Sequence, residues 1–379
     1  MRAAAQRLTK ESARGRQPAA ILHQVLALQA QVLSAAALGL RARSTGLRAA
    51  DVTRAIDDER SIVRSWLMRG TLHLVASDDL RWLVHLLGPV FARAGARRHA
   101  QLGLGDDVKA RGVSALRRIL ANSGPLTRYE LVDRLRRRGL VLDPKTQAPI
   151  HLIALAAMEG VLCLGPDRGA ESTYVLLDDW VPAARVPSRE AALPELARRY
   201  VAAYGPATID DLSAWSGLSM AEARTAVAGA KASLTEVTMQ GQQAFLLKGR
   251  TGRAPTTGSS LVRLLPAFDA YLLGYRRRDL AVPAALQRRL QRGGGWLHPA
   301  IIVNGRAIGA WALRRWPGNG QVHVEAFGPI SESVRAGINA EIDDIGRFLG
   351  VRVLLDVTQR DLGSTTDLAL HKKTPRSLI

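Results

Sequence analysis

A chain of 379 residues has room for about two to four domains, and its 47% hydrophobic content is ordinary for a globular protein. No apolar run approaches the roughly 20 residues a membrane helix needs. The cationic start (Arg2, Arg7, Lys10, Arg14, Arg16) has no apolar core behind it, so it is no secretory signal, and the single Cys163 excludes a disulfide framework or a multi-cysteine zinc site and points to a cytoplasmic protein.

In chain order, Ile21, Leu22, Val25 and Leu26 predict an amphipathic helix over 19–26. The next stretch, Leu28-Gln29-Ala30-Gln31-Val32, admits two continuations. If the helix runs on, Gln29 falls on the apolar side and Gln31 points roughly 200° away from it. If the chain is extended, Leu28, Ala30 and Val32 face inward and the two glutamines share the other face. Ser34 would then cap a new helix reaching about Arg43. Pattern alone tips toward the unbroken helix and leaves the break open. Arg48-Ala49-Ala50-Asp51 opens a short helix, 60–68 reads as a third helix, and 70–75 as a strand. A helix over 77–87 then leads into a basic linker over 93–109.

Two later segments repeat one unit. Gly124-Pro125-Leu126-Thr127 and Gly205-Pro206-Ala207-Thr208 lie 81 residues apart, each after an apolar helix (113–121; 193–203). In each, the threonine is placed to cap a helix, with Glu130 or Asp211 three residues on as its capping-box partner. Those helices end near Gly139 and Gly217, a third follows (149–160; 219–230), and two β-prone runs close the unit. Three helices and a hairpin make the winged-helix plan, which the N-terminal segment fits less cleanly. Residues 249–260 read as a linker. Beyond them come strands at 261–265, 300–303, 307–314 and 321–327, with turns at Asn304-Gly305 and over 316–320, then a helix over 331–349 and a last strand over 351–357. The expected fold is α+β: tandem winged-helix (helix-turn-helix) domains over 1–92, 110–182 and 190–248, a C-terminal antiparallel β-rich domain over 260–361, and a tail over 362–379.

Lys and Arg total 53 against 33 Asp and Glu, a net charge of +20, and only seven of the cations are lysines. Such a field favours a polyanion, and arginine suits phosphate forks and groove insertion. A GC-rich genome also enriches arginine, but it would tend to raise Asp and Glu too. The eight histidines show no close pairs at ligand spacing, and there is no phosphate-binding Gly-Lys loop and no serine nucleophile elbow, so no metal or other cofactor is expected. Arg314, Arg315, Trp316 and Asn319 flank a tight turn that suits a groove probe. Arg276, Arg277 and Arg278 suit a phosphate clamp, and Arg134 and Arg137 a basic helix face, each with a solvated-surface alternative. Thr71, His73 and Asp269 are candidates to line a site, with structural roles for His73 and Asp269 as the alternative.

Four runs carry a resemblance: the Gln29-x-Gln31 pair, Arg69-Gly70-Thr71-Leu72-His73, the run from Leu264 to Tyr271 and that from Asn304 to Trp311. In their order and spacing they resemble the AlkZ-like winged-helix DNA glycosylase family, over essentially the whole chain. The resemblance implies tandem winged helices against a β-rich C-terminal domain. It implies excision of N7-alkylated purines, including unhooking of N7-guanine interstrand crosslinks of the azinomycin type. It makes Gln29 and Gln31 the catalytic pair; the family uses Gln-x-Gln or Gln-x-Asp, and this chain has the Gln form.

The residues permit that chemistry. An amide is a poor base, and a normal N-glycosidic bond demands a carboxylate. An N7-alkylpurine already carries positive charge, so its base departs neutral and needs no acid. What remains is to place a water near C1′ and to stabilise a sugar cation, which an amide carbonyl oxygen can serve; Gln31 is the candidate for water placement and Gln29 for orientation or sugar contact. No lysine is marked as a Schiff-base nucleophile, Lys10 being the nearest in sequence, so a monofunctional enzyme leaving an abasic site is expected. The expected partner is double-stranded DNA carrying alkylated or crosslinked guanine, bound by a monomer in an open cleft, with no membrane. The alternative is a non-enzymatic winged-helix DNA-binding regulator, which would dimerise on a palindrome.

Overall fold

In the computed structural model of this chain, residues 1–359 are described, apart from 14, 251–259, 292 and 294. After a short first helix, α1 (Arg2–Ala5), the amphipathic stretch forms α2 (Pro18–Val25). It stops at Leu26, whose φ of 68° is left-handed. That conformation costs a leucine roughly 1–2 kcal/mol, and complete burial of the Leu26 side chain holds it in place. The chain then runs extended as β1 (Leu28–Gln29) before α3 (Leu33–Arg41). The helix is therefore broken. Ser34 does not cap α3; the cap position is Val32, which makes no side-chain cap bond.

Helix α4 (Ala49–Asp57) begins where Asp51 accepts the Arg48 backbone N–H at 2.9 Å. The third helix expected over 60–68 is instead a strand, β2 (Ile62–Trp66), which hairpins to β3 (Leu72–Ala76). All five β2 residues are buried, and a strand covered on both faces has no alternation to separate it from a buried helix. The linker expected over 93–109 is largely helical: α5 (Ser77–Ala94) and α6 (Ala96–Gln101) precede α7 (Asp106–Ala121).

The first repeat follows as β4 (Leu126–Thr127), α8 (Arg128–Arg137), α9 (Ala148–Met158), the hairpin β5 (Leu162–Leu164) and β6 (Thr173–Leu176), and α10 (Leu177–Trp180). The second is α11 (Arg189–Tyr204), α12 (Ile209–Ser216), α13 (Met220–Gly229) and the hairpin β7 (Leu234–Met239) and β8 (Gln242–Leu247). Both capping boxes form: Thr127 with Glu130, and Thr208 with Asp211. Gly217 ends α12 with φ 83°, as a helix-terminating glycine should.

One sheet, ordered β1-β3-β2-β5-β6-β4, joins the N-terminal hairpin to that of the first repeat through the single pair Arg64↔Leu164. Beside that seam Arg64 pairs with Asp167 at 2.9 Å. The largest apolar cluster draws on Leu22, Leu74, Tyr200, Trp215, Ile301 and Ile345, so the N-terminal helices, α11–α13 and the C-terminal segment pack on common ground.

That segment comprises β9 (Val262–Leu265), α14 (Ala270–Leu273), α15 (Ala284–Leu290), β10 (Ala300–Val303), β11 (Arg306–Trp316), β12 (Asn319–Ala326), α16 (Glu332–Leu349) and β13 (Arg352–Gln359). Its sheet runs β13-β12-β11-β10-β9. It is antiparallel except at the last strand, which pairs parallel to β12, a correction to the purely antiparallel expectation. A parallel neighbour needs a crossover, and α16 supplies it. The fold is α+β. Most of the linker expected over 249–260, and the tail over 362–379, lie outside the described residues. Among those described, no helix is long and apolar enough to cross a membrane.

Candidate active site

The extended stretch adds a short edge strand to the N-terminal hairpin. Leu28 pairs with Leu74 and Gln29 with His73, and the Ala30 N–H donates to the Leu72 carbonyl at 2.7 Å. Leu28 and Ala30 are buried, Gln29 is half-buried and Gln31 exposed, the alternation an extended chain dictates. Each glutamine is held by its carbonyl. Gln29 Oε1 accepts from Arg69 Nη2 at 2.8 Å, and Gln31 Oε1 accepts the Leu72 backbone N–H at 2.9 Å. A guanidinium and a peptide N–H only donate, so the accepting atom must be oxygen in both cases, which fixes which way each amide faces. Among the described residues no protein group pairs with either amide nitrogen.

Arg69 stands at the tip of the β2–β3 hairpin with a left-handed φ of 56°, followed by Gly70 at 66°. Its Nη1 donates to the Trp215 carbonyl at 2.7 Å, at the C-terminal end of α12. Burial lowers the Arg69 pKa, and the nearby Arg278 charge pushes the same way. Beside Gln29 on β3, His73 is 2% exposed. Burial, then the Arg69 charge, push its pKa down to about 3, so the ring is neutral. His73 Nδ1 lies 2.9 Å from the Thr71 carbonyl; a carbonyl only accepts, so Nδ1 carries the proton and Nε2 keeps a lone pair. The Thr71 hydroxyl donates to the Met68 carbonyl at 3.1 Å and serves the turn. Ser65 pairs with His73 on the far side of β3, its hydroxyl buried without a hydrogen-bond partner among the described residues.

Asp269, expected as site lining, is instead completely buried in a two-pronged pair with Arg43, both bonds 2.8 Å. It also caps α14 by accepting the Tyr271 N–H at 2.8 Å. Arg41, likewise buried, pairs with Glu341 and Asp344 at 3.0 Å each and donates to the Leu264 carbonyl at 3.1 Å. These contacts pin the end of α3, the helix that leaves the glutamine strand, to the C-terminal segment. Sequence reasoning missed Arg41 and Arg43. Their only signal is alternation with Leu38, Leu40 and Ala42 in an otherwise apolar run.

The remaining cations divide. Arg314 and Arg315 are exposed near the end of β11, and Trp316, 45% exposed, pairs with Asn319 across the Pro317-Gly318 turn. Arg277 is exposed, while the Arg276 N–H donates to Asp211 at 2.9 Å. Arg278 is held by the Leu272 carbonyl and Gln291, 2.8 Å each. On α8, Arg134 donates to the Ser123 hydroxyl, and Arg136 and Arg137 share Asp133. Among the described residues no hydrogen bond or ion pair links the β11–β12 turn or α8 to the glutamine strand. Of the cations expected to bind DNA, Arg278 lies near enough for its charge to act on Arg69. No three His, Cys, Asp or Glu side chains among the described residues gather as a metal site requires.

Known proteins resemble this chain over most of its length. A family model described as DNA glycosylase AlkZ-like matches residues 22–348. The chain is 32% identical over 281 residues, 69% of its length and 73% of the other protein, to an interstrand DNA cross-link repair glycosylase of Streptomyces sahachiroi. It superposes on the solved structure of the Streptomyces sahachiroi DNA glycosylase AlkZ with a TM-score of 0.77 and 26% identity, covering 94% of this chain and 97% of that one.

Proposed function

The chain belongs to the AlkZ-like DNA glycosylase family, and from that premise we propose that it hydrolyses the N-glycosidic bond of N7-alkylated purines in double-stranded DNA. Its substrates include the bonds that hold N7-guanine interstrand crosslinks of the azinomycin type. It acts as a monomer, without a cofactor, and leaves an abasic site. Family membership displaces the non-enzymatic regulator. We read the three helix–hairpin units as tandem winged helices over 1–92, 110–182 and 190–248, set against a C-terminal domain over 260–361.

The observation that carries the reading is the pair of amides on the extended stretch, Gln29 in β1 and Gln31 just beyond it, each held through its carbonyl and with no protein partner at its NH2 among the described residues. A carbonyl oxygen has two lone pairs, so each amide still has an acceptor as well as two donors for a ligand. Gln31, the exposed member, places the attacking water by accepting one of its hydrogens. Gln29, half-buried beside neutral His73, contacts the sugar through its outward NH2, which donates to an oxygen there. Neither group is a strong base. The site therefore works on a base that is already cationic and leaves as a neutral molecule, and it is slow on neutral lesions. Arg314, Arg315, Trp316, Asn319 and the Arg276–Arg278 run contact the duplex around it.

The test is release of free 7-methylguanine from N7-methylated duplex. Gln29→Ala and Gln31→Ala each slow single-turnover release by on the order of 100-fold, the scale seen when one preorganised polar group is removed. Wild-type rates in both variants, or equal rates on neutral lesions, refute the assignment.

A further inference from the structure

We propose that Arg69 is the positioning residue of this site. Its guanidinium clamps Gln29 with the carbonyl turned inward and the NH2 outward, and ties that orientation to α12. The inference rests on the role proposed for Gln29. One guanidinium plane spans two elements, from Gln29 Oε1 at 2.8 Å to the Trp215 carbonyl at 2.7 Å. The terminal torsion of a glutamine is broad and roughly two-fold. Released from Arg69, the amide turns over and exchanges donor for acceptor.

Two further observations separate this residue from an ordinary surface cation. Its backbone is left-handed at φ 56°, a conformation that a side chain larger than glycine adopts at a cost and keeps only when its surroundings demand it. Moreover, its hydrogen-bond partners among the described residues are neutral oxygens, with no carboxylate paired to it. One is a carbonyl of the last turn of α12, where the helix dipole presents its negative end. A half-buried cation balanced by dipoles alone is costly, and here it sits against the working amide. The turn that ends α12 packs closely beside this contact: a Cβ on Gly217 would come within 2.6 Å of the Phe91 ring and into ordinary contact, at 3.5 Å, with the Arg69 backbone nitrogen. A shift of α12 is thus transmitted to Gln29 through a single side chain.

The experiment measures single-turnover release of 7-methylguanine at saturating protein, with duplex affinity and thermal unfolding in parallel. The variants are Arg69→Met, Arg69→Lys, Gln29→Ala and the double Arg69→Met/Gln29→Ala. Arg69→Met slows release by on the order of 10- to 100-fold, the range expected of a misplaced group, and leaves duplex affinity unchanged. Arg69→Lys keeps the charge but not the fork and falls between it and wild type. The double variant is no slower than Gln29→Ala alone, because both changes remove one function. A slow Gln29→Ala beside a wild-type Arg69→Met, or losses that multiply, overturns the positioning role and leaves the Gln29 reading intact. A wild-type rate in Gln29→Ala removes both. Should Arg69→Met not fold, a wild-type rate in Arg69→Lys overturns the proposal.

Discussion

Replacing Arg43 by methionine tests what holds the glutamine strand in place. The Arg43 guanidinium is wholly buried and makes four bonds: two of 2.8 Å to Asp269, and one of 3.0 Å each to Gln6 Oε1 and the Gly39 carbonyl. Methionine fills similar space and makes none of them. Asp269 is left fully buried with only the Tyr271 N–H at 2.8 Å. Breaking a buried pair from one side costs about 3–5 kcal/mol. The two neutral acceptors also lose their donor, which places Arg43→Met near the upper end, a large part of the 5–15 kcal/mol (roughly) that keeps a protein folded. Asp269→Leu in the same chain removes the stranded carboxylate. The double variant then regains most of the stability, short of about 1 kcal/mol for the vanished cap of α14. Urea unfolding followed by tryptophan fluorescence measures both. An Arg43→Met protein within about 1 kcal/mol of wild type, a change far below the range for a broken buried pair, or a double variant whose two effects simply add, refutes the reasoning.

Replacing both Arg314 and Arg315 by alanine should flatten the dependence of duplex affinity on salt by about 0.9 for each phosphate no longer neutralised, up to roughly 1.8 in log–log slope. The saturating rate of base release should not change; titrations at several salt concentrations decide it, and an unchanged slope removes the β11–β12 turn from the duplex interface. His73 makes a pH prediction. Its folded pKa is pushed down to about 3 from 6.5, so below pH 6.5 the unfolded chain takes up a proton that the native chain refuses. Stability therefore falls as pH drops from 6.5 toward 3, by on the order of 2 kcal/mol between pH 6.5 and 5. His73→Gln should remove that share of the slope and leave the part due to His99 and His151, whose pKa values burial also lowers; unfolding curves at the two pH values would reveal it.

The sequence was most legible where one local rule acted alone. Thr127 with Glu130 and Thr208 with Asp211 start helices as capping boxes, and Asn304-Gly305 turns a hairpin because both residues accept left-handed backbone. The glutamine pattern held both an unbroken helix and a break; Leu26, held left-handed by packing that no local pattern reveals, decided for the break. Strand β2 went unread because tertiary cover on both faces erases alternation. The parallel placement of β13 was readable in principle from the helix that precedes it. The arginines were the hardest to read. A rule that puts cations in solvent counted Arg41, Arg43 and Arg64 toward the field facing DNA, whereas each is buried against a carboxylate. Part of the 53 Lys and Arg is internal architecture, paired off by carboxylates that the net +20 already counts.

The extended stretch that carries Gln29 in β1 and Gln31 just beyond it is held in register by a ladder of two residue pairs, so its output depends on parity. Deleting or inserting one residue between Leu26 and Val32 leaves the backbone partners on β3 available but exchanges the two sides of the ribbon. The amides would turn into the core, and leucine and alanine would meet the duplex. This segment should accept many point substitutions at Leu28 or Ala30 that keep a small or apolar side chain, yet reject every change of odd length.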